Sequence, residues 1–433
     1  MQIFGGRRRR ARRLLGAPGT GWVAGVRLPK LAFLAVLGPG LVSGFADNDA
    51  GGITTYSVAG AQFGYALLWV VLASMLALFV TQEVGARLGL ATGRGLLDLV
   101  REGFGIRWAA LAIGTMLIAN LGTTLAEFAG IGAALSLFGV PVPVSVVVAV
   151  LVIGLLLARA GFLRIQWVFL AVGAGVSVAY VVSAVLARPN WGKSVQYLFV
   201  PHGVATSAYL LAVVGTVGTT ITPWGQAFIQ SYCADKRLGP EHLRTTRFDV
   251  ALGAFLTNSI AAFILIAAAA TLWAHGERSI PDAAAAAKAL GPLAGHAAET
   301  VFALGLLGAA FLGLGVVPLT SSYATTEALG FERGLDLRPR EAPAFYGLLA
   351  FFLGAAAVLV LIPGLPLIRV MFLAQVVNGL LLPVILVFVM LLSHRHRLLG
   401  DLTSNRFLLL VGWLVTLVVS VMSVALVVTY LVP

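Results

Sequence analysis

Eleven apolar stretches, each about as long as a bilayer is thick or longer, follow one another at roughly residues 31–62, 66–90, 108–137, 142–158, 163–187, 204–233, 247–274, 296–326, 343–362, 367–393 and 407–431. A helix needs about 20 consecutive apolar residues to cross the hydrocarbon core. The succession therefore predicts an all-α integral membrane protein with about 11 transmembrane helices. A soluble fold fails on composition: 59% of the residues are hydrophobic and 11% charged, against roughly 25% charged in an ordinary soluble domain. Too little polar surface remains to cover a core. The connections carry the expected breakers, "FGVPVPV", "ARPNWGK", "RLGPEH" and "IPGLP".

Positive charge orients such a chain, because Lys and Arg are retained on the cytoplasmic side. The Arg7–Arg13 cluster, Arg87/Arg94/Arg101/Arg107, Arg159/Arg164, Lys236/Arg237/Arg244/Arg247, Arg333/Arg338/Arg340 and Arg395/Arg397/Arg406 fall on one side of the alternation. The opposite loops hold Arg188, Lys193, Arg278 and Lys288 as the main exceptions. The expectation is a multi-pass protein of the inner or plasma membrane, amino terminus cytoplasmic and carboxyl terminus outside. Anchoring to anionic lipid headgroups accounts for the net charge of +12, so no nucleic-acid partner is implied. The start "MQIFGGRRRRARRLLGAPGTG" lacks a compact apolar region and a small-residue cleavage site. Residues 1–30 read as a basic cytoplasmic segment, and an amphipathic course on the inner leaflet suits them. A single cysteine, Cys233, excludes a disulfide framework and a cysteine metal site.

Carboxylates at membrane depth cost a few kcal/mol and survive only facing a bundle interior or a watery cavity. Asp47, Asp49 and Glu127 are the clearest cases. Glu83 has Arg87 four residues on and reads as half of a structural ion pair, and Glu327 sits near a helix end. Asp49 to Gly52 interrupt the first segment, where two glycines tolerate extended or left-handed backbone. In the sixth, "VVGTVGTTITPWGQAFIQSY" places Pro223 where its missing amide and its ring should open the helix around 219 to 222. Two breaks, in the first and sixth of eleven spans, point to five-helix halves of inverted topology, with unwound carbonyls and half-helix ends meeting near the midplane. Free carbonyls beside one or two acids make a hard-cation site. A channel could use the same groups, but paired broken helices favour alternating access.

These residues carry a resemblance. The run "GPGLVSGFADNDAGGITTYSVAGAQFGYALLWVVLASMLALFVTQEVGARLGLATGRG" resembles the start of the NRAMP family of divalent-metal transporters, with "DAGG" at the place of the family's Asp-Pro-Gly-Asn motif. The likeness continues in "TTLAEFAGIGAALSLFGVP", in "GTTITPWGQ" where the family has Met-Pro-His, and in "AQVVNGLLLP". It covers nearly the whole chain from about residue 31. It implies a LeuT-like fold with five plus five inverted repeats, broken helices 1 and 6 and one extra helix. The halves are then 31–187 and 204–393, with an additional span at 407–433.

By that resemblance, Asp49, the carbonyl of Thr219, and the positions of Gly52 and Thr222 line the metal site. Gln375 matches a family glutamine that reaches the ion, and Asn378 faces the same cavity or makes an interhelical hydrogen bond. The departures matter as much. The Asn position is Gly52, the Met position Thr222 and the His position Trp224. Loss of the thioether leaves oxygen donors only and a wider site, which suits Mg2+, an ion that sheds water reluctantly. The pattern is most like the NRAMP-related magnesium transporters. Asp47 and Asn48 flank the site as holders of outer waters, Asn48 equally as a helix cap. Trp224 cannot relay a proton, all six histidines fall in loops or at span ends, and the partner of Glu127 has become Thr124. Glu127 either titrates or stays neutral and hydrogen-bonded.

The expected function is secondary-active or facilitative transport of Mg2+ and Mn2+, partly hydrated, by alternating access with weak or no proton coupling. A proton-coupled Mn2+/Fe2+ transporter and a same-fold Na+-coupled organic-solute carrier are the alternatives. Asp47 and Asp49 would repel a substrate carboxylate, which counts against the second. No His/Glu pair, Ser/His/Asp set or phosphate loop suggests an enzyme. No cofactor is expected; the metal ion is the substrate. Lipids are the other expected partner, and the chain is expected to work as a monomer.

Overall fold

The computed structural model describes residues 39–158, 174–175, 177–203, 206–335 and 337–431. The basic start, the first residues of the first span, Arg159, Arg164 and residues 163–173 of the fifth span lie outside them. Among the described residues the regular structure is helical throughout. The first span consists of two helices, α1 (Pro39–Asp47) and α2 (Ala50–Phe63). The second is α3 (Leu68–Thr92), joined by a short helix α4 (Leu96–Phe104) to the third, α5 (Ile106–Ser136). Next come α6 (Val142–Ala158), the described part of the fifth span, α7 (Ser177–Leu186), and a short helix α8 (Trp191–Phe199). The sixth span is again two helices, α9 (Ser207–Thr220) and α10 (Pro223–Asp235). The remaining spans are α11 (Leu243–Thr271), α12 (Ala298–Leu329), α13 (Pro343–Val360), α14 (Leu367–Ser393) and α15 (Arg406–Leu431). Seven of the described helices are long and apolar enough to cross a membrane unaided.

The helices sort into two groups by what they pack against. The half-helices pair across the breaks, α1 with α10 and α2 with α9, and α11 lies along α1, α2 and α3. On the other side α5, α12 and α13 pack on one another. Helix α14 touches α2, α9 and α5, so it bridges the groups beside the breaks. The closest approaches use residues without a side chain. A Cβ on Gly218 would collide with the backbone of Gln375 and Gly379, and one on Gly379 with Val214 O, as expected where small residues let helices approach in lipid.

Helix α15 shows how the outer surface is made. Phe407, Leu410, Leu414, Leu417, Val421, Val424, Val428 and Leu431 are exposed and recur every three or four residues, one continuous face of a helix. Leu408, Gly412, Thr416, Val419, Ser423 and Leu426 are buried on the other face. An exposed apolar stripe of this length fits acyl chains rather than water.

The Arg-bearing loops meet at one end of the bundle. Glu83 is fully buried and paired with Arg87 at 2.7 Å and Arg247 at 2.8 Å, while Arg87 also donates to Leu402 O at 3.0 Å. Arg101 donates to Ala328 O at 2.6 Å, Arg395 to Gly103 O at 2.8 Å, and the Glu327 carboxylate accepts from Gly95 N at 3.0 Å and from Arg333 at 3.0 Å. Breaking a buried pair leaves a charge without its partner and costs about 3–5 kcal/mol, whereas an exposed pair is worth about 1 kcal/mol or less. Glu83→Ala is therefore expected to lower unfolding stability in detergent by about 3 kcal/mol. Glu277→Ala, whose pair with Lys288 is exposed, should change it by less than about 1 kcal/mol. Equal losses in the two variants would show that the buried pair is not an anchor.

Candidate metal site at the helix breaks

Each break is made by a residue that ends one half-helix and caps the next. Asp49 is the N-cap of α2: its backbone is extended, and its Oδ1 accepts from Gly52 N at 2.6 Å. Thr222 does the same for α10, its Oγ1 accepting from Gly225 N at 3.1 Å, with Pro223 in the first turn. Proline there forfeits nothing, because the first amides of a helix have no partner inside it. The sequence reading opens the chain at 49–52 and 219–222; the structure opens it at Asn48–Asp49 and Ile221–Thr222. Gly52 and Thr219 are helical, because the two side-chain caps let regular structure resume at once. Gly52 thus contributes the absence of a side chain rather than an unwound backbone.

That absence organises the site. A Cβ built on Gly52 would lie 2.7 Å from Asp47 O, 3.2 Å from Thr219 Oγ1 and 3.4 Å from Asp49 Oδ1. Three oxygens from both broken spans therefore close in on Gly52, and the glycine lets them approach rather than widening the site as the sequence suggests. Asp47 Oδ1 accepts from Thr222 Oγ1 at 3.4 Å, while Asp47 Oδ2 and Thr219 Oγ1 have no hydrogen-bond partner among the described residues. The carboxyl ends of α1 and α9 bring unpaired carbonyls and negative dipole ends to the same place, which favours a cation. Asp47, Asp49, Thr219, Thr222 and Gln375 are all buried. Among the described residues no three His, Cys, Asp or Glu side chains gather as a metal site. A cation here would meet one or two carboxylates, hydroxyls and carbonyls.

The other sequence candidates fall around this centre. Gln375 Nε2 points to Asp49 Oδ1 at 3.5 Å, and its Oε1 accepts from Asn378 Nδ2 at 2.7 Å. Asn378 also donates to Thr123 Oγ1 at 2.9 Å, so it joins α14 to α5 and orients the glutamine. Glu127 is buried, and its Oε2 lies 3.4 Å from Ala50 N. Its carboxyl packs against Gly313, where a Cβ would lie 2.9 Å from Oε2. Asn48 donates to Thr257 O at 3.4 Å and its Oδ1 has no described partner. It tethers the break to α11 instead of capping a helix. Trp224 is fully buried, edge-on to Phe228, with no described partner for Nε1.

Sequence reasoning missed several neighbours. Gln82 Nε2 donates to Ser43 Oγ at 2.9 Å, tying α3 to α1 one turn before Asp47. The signal was present: "TQE" is a polar run inside an apolar span. Tyr56 and Thr220 hydroxyls, 2.9 Å apart, link α2 to α9. A thioether also lies close by. Met371, one turn before Gln375, takes a hydrogen bond from Thr54 Oγ1 at 3.5 Å, which ties its sulfur to α2.

Comparison with known proteins places this arrangement. The family profile described as natural resistance-associated macrophage protein-like matches residues 40–429. A protein of Deinococcus radiodurans named divalent metal cation transporter MntH is 32% identical over 420 residues, covering 93% of this chain and 90% of that one. Its namesake from Klebsiella pneumoniae is 29% identical, covering 89% and 92%. The crystal structure of the Eremococcus coleocola manganese transporter in complex with an aromatic bis-isothiourea compound matches with a TM-score of 0.72 at 21% identity, covering 93% and 87%. MhsT in complex with L-phenylalanine matches with a TM-score of 0.56 at 16% identity, covering 93% and 98%. The last two likenesses show the fold, a LeuT-like one. The chain belongs to the Nramp family of divalent-metal transporters.

Proposed function

We propose that this transporter carries Mg2+, and Mn2+ as a second substrate, partly hydrated and by alternating access, without obligatory proton movement. One observation carries the reading. The oxygens that close in on Gly52, together with Asp47 Oδ2 and the Thr222 hydroxyl, line the breaks with oxygen donors from both broken spans. Hard oxygen ligands suit Mg2+, and the threonine at 222 offers a hydroxyl where a methionine would offer a soft sulfur. The binding set is Asp49, Thr219, Thr222, Gly52 and Gln375. Asp47, Asn48, Glu127, Trp224 and Asn378 shape or gate it. The repeats run over 31–187 and 204–393. The protein sits in the inner or plasma membrane as a monomer, with the Arg-rich end in the cytoplasm.

Coupling is the second part of the proposal. Among the described residues no histidine lies at the breaks: His202, His242, His275, His296, His394 and His396 are in loops, in short helices or at helix ends. Glu127, which lies beside Ala50 and hydrogen-bonds the Asp49 carboxyl, favours the other reading, proton-coupled transition-metal transport. Proteoliposome uptake separates them. With metal outside and the lumen negative, Mg2+ and Mn2+ should enter at rates that change by less than about 2-fold when an inward proton gradient is imposed, and no lumenal acidification should accompany entry. The membrane potential alone supplies about 2.3 kcal/mol per charge per 100 mV. Uptake that needs the proton gradient, or Mg2+ that neither enters nor competes with Mn2+, would overturn the reading.

A further inference from the structure

A cavity of about 510 Å³ opens at the end of the bundle opposite the Glu83–Arg87 network. Its walls come from the end of α2, the α7–α8 connection, the loop after α8 and the end of α11, represented by Phe63, Arg188, Lys193, Tyr197, His202 and Trp273. The lining holds two cationic side chains and an imidazole and no Asp or Glu. That lining favours an anion over a cation.

The basic groups are presented rather than consumed. Among the described residues neither Arg188 nor Lys193 makes an ion pair, although exposed pairs exist nearby, such as Lys288 with Glu277. Arg188 holds left-handed backbone at φ 49°, a conformation that side chains larger than asparagine adopt seldom and that clusters at functional positions. His202 is fixed from three sides. Its Nδ1 lies 2.7 Å from Val200 O, its ring stacks on Tyr197 at 3.9 Å, and the Tyr209 hydroxyl donates to its carbonyl at 2.6 Å. A carbonyl only accepts, so Nδ1 carries a proton and Nε2 is left for a ligand. Opposite, Trp273 is covered by the Arg278 guanidinium at 4.5 Å, which adds positive potential to that wall. The volume and aromatic walls with a few convergent polar groups are those of a small-molecule site.

We propose that this cavity binds an amphiphilic organic anion: one carboxylate or phosphate held by Arg188 and Lys193, on an apolar body lodged between Phe63, Tyr197 and Trp273. An anionic lipid headgroup and a soluble organic acid share that chemistry. Calorimetric titration of the purified transporter in uncharged detergent distinguishes them, using dihexanoyl phosphatidic acid and phenylacetate, with dihexanoyl phosphatidylcholine and phenylacetamide as neutral counterparts. At least one anion should bind saturably at one per chain, at least 10-fold tighter than its neutral counterpart. Binding of phosphatidic acid alone marks a lipid site, and of phenylacetate alone a soluble-acid site. The variant Arg188→Ala with Lys193→Ala should lose at least 10-fold in affinity while eluting as a single species with an unchanged unfolding midpoint. The charge-keeping variant Arg188→Lys with Lys193→Arg should stay within about 3-fold. Failure of both anions to bind, or equal binding by the double alanine variant, overturns the proposal.

Discussion

Asp49→Asn is expected to reduce divalent-metal uptake into proteoliposomes by at least about 100-fold, a loss of roughly 2.7 kcal/mol, while leaving the fold intact. The side chain has two duties that this substitution separates. As N-cap of α2 it accepts from Gly52 N at 2.6 Å, and asparagine caps a helix about as well as aspartate. As the acid at the break, between two helix ends whose carbonyls are unpaired, it supplies the formal charge that a hard divalent ion requires. An amide keeps the first duty and loses the second. Asp49→Ala should be equally inactive but also less stable by about 1 kcal/mol, because the Gly52 amide is then buried without a partner. Uptake above a tenth of wild type in the asparagine variant would remove Asp49 from the binding set. Glu127→Gln supplies the contrast: without obligatory proton movement it should transport within about 3-fold of the parent. Its carboxyl lies near Ala50 N, a contact that an amide oxygen can also make.

Much of this was legible in the sequence because it rests on local chemistry. Spans follow from the length of apolar runs, and every one of the eleven segments meets a described helix. The breaks follow from Pro223 and from Asp49 beside two glycines. Their exact placement was not legible, since whether a helix resumes at residue 50 or 53 depends on a side chain folding back onto an amide, as Asp49 and Thr222 do. The pairing of Glu83 with Arg87 was legible at four residues' spacing; its second partner, Arg247, was not. Links between distant parts of the chain stayed hidden for the same reason. Nothing in a hydrophobic pattern says that Gln82 meets Ser43, that Asn378 meets Thr123, or that the space above Gly52 is bounded by Asp47 O.

Restoring the absent side chains should reverse the choice of ion. In Gly52→Asn with Thr222→Met, the new Cβ at 52 meets Asp47 O at 2.7 Å and Thr219 Oγ1 at 3.2 Å. Contacts that close force the oxygens apart or the helix ends to shift, which disturbs the set of hard donors. The methionine at 222 brings a thioether to the break in place of a hydroxyl, a donor that stabilises polarisable ions and does little for Mg2+. The same change deletes the Thr222 cap on Gly225 N, at a cost of about 1 kcal/mol. Thr222→Ala carries that cost without the sulfur and is the control for stability. In competition uptake the double variant should favour Cd2+ and Mn2+ over Mg2+ by at least about 10-fold relative to the parent, equivalent to 1.4 kcal/mol, and the alanine control should not. Pairwise contributions at touching positions do not add, so the single variants need to be measured beside the double one. Unchanged ion preference in the double variant would mean that selectivity resides elsewhere in the pathway. The glycine at 52 would then serve helix packing alone.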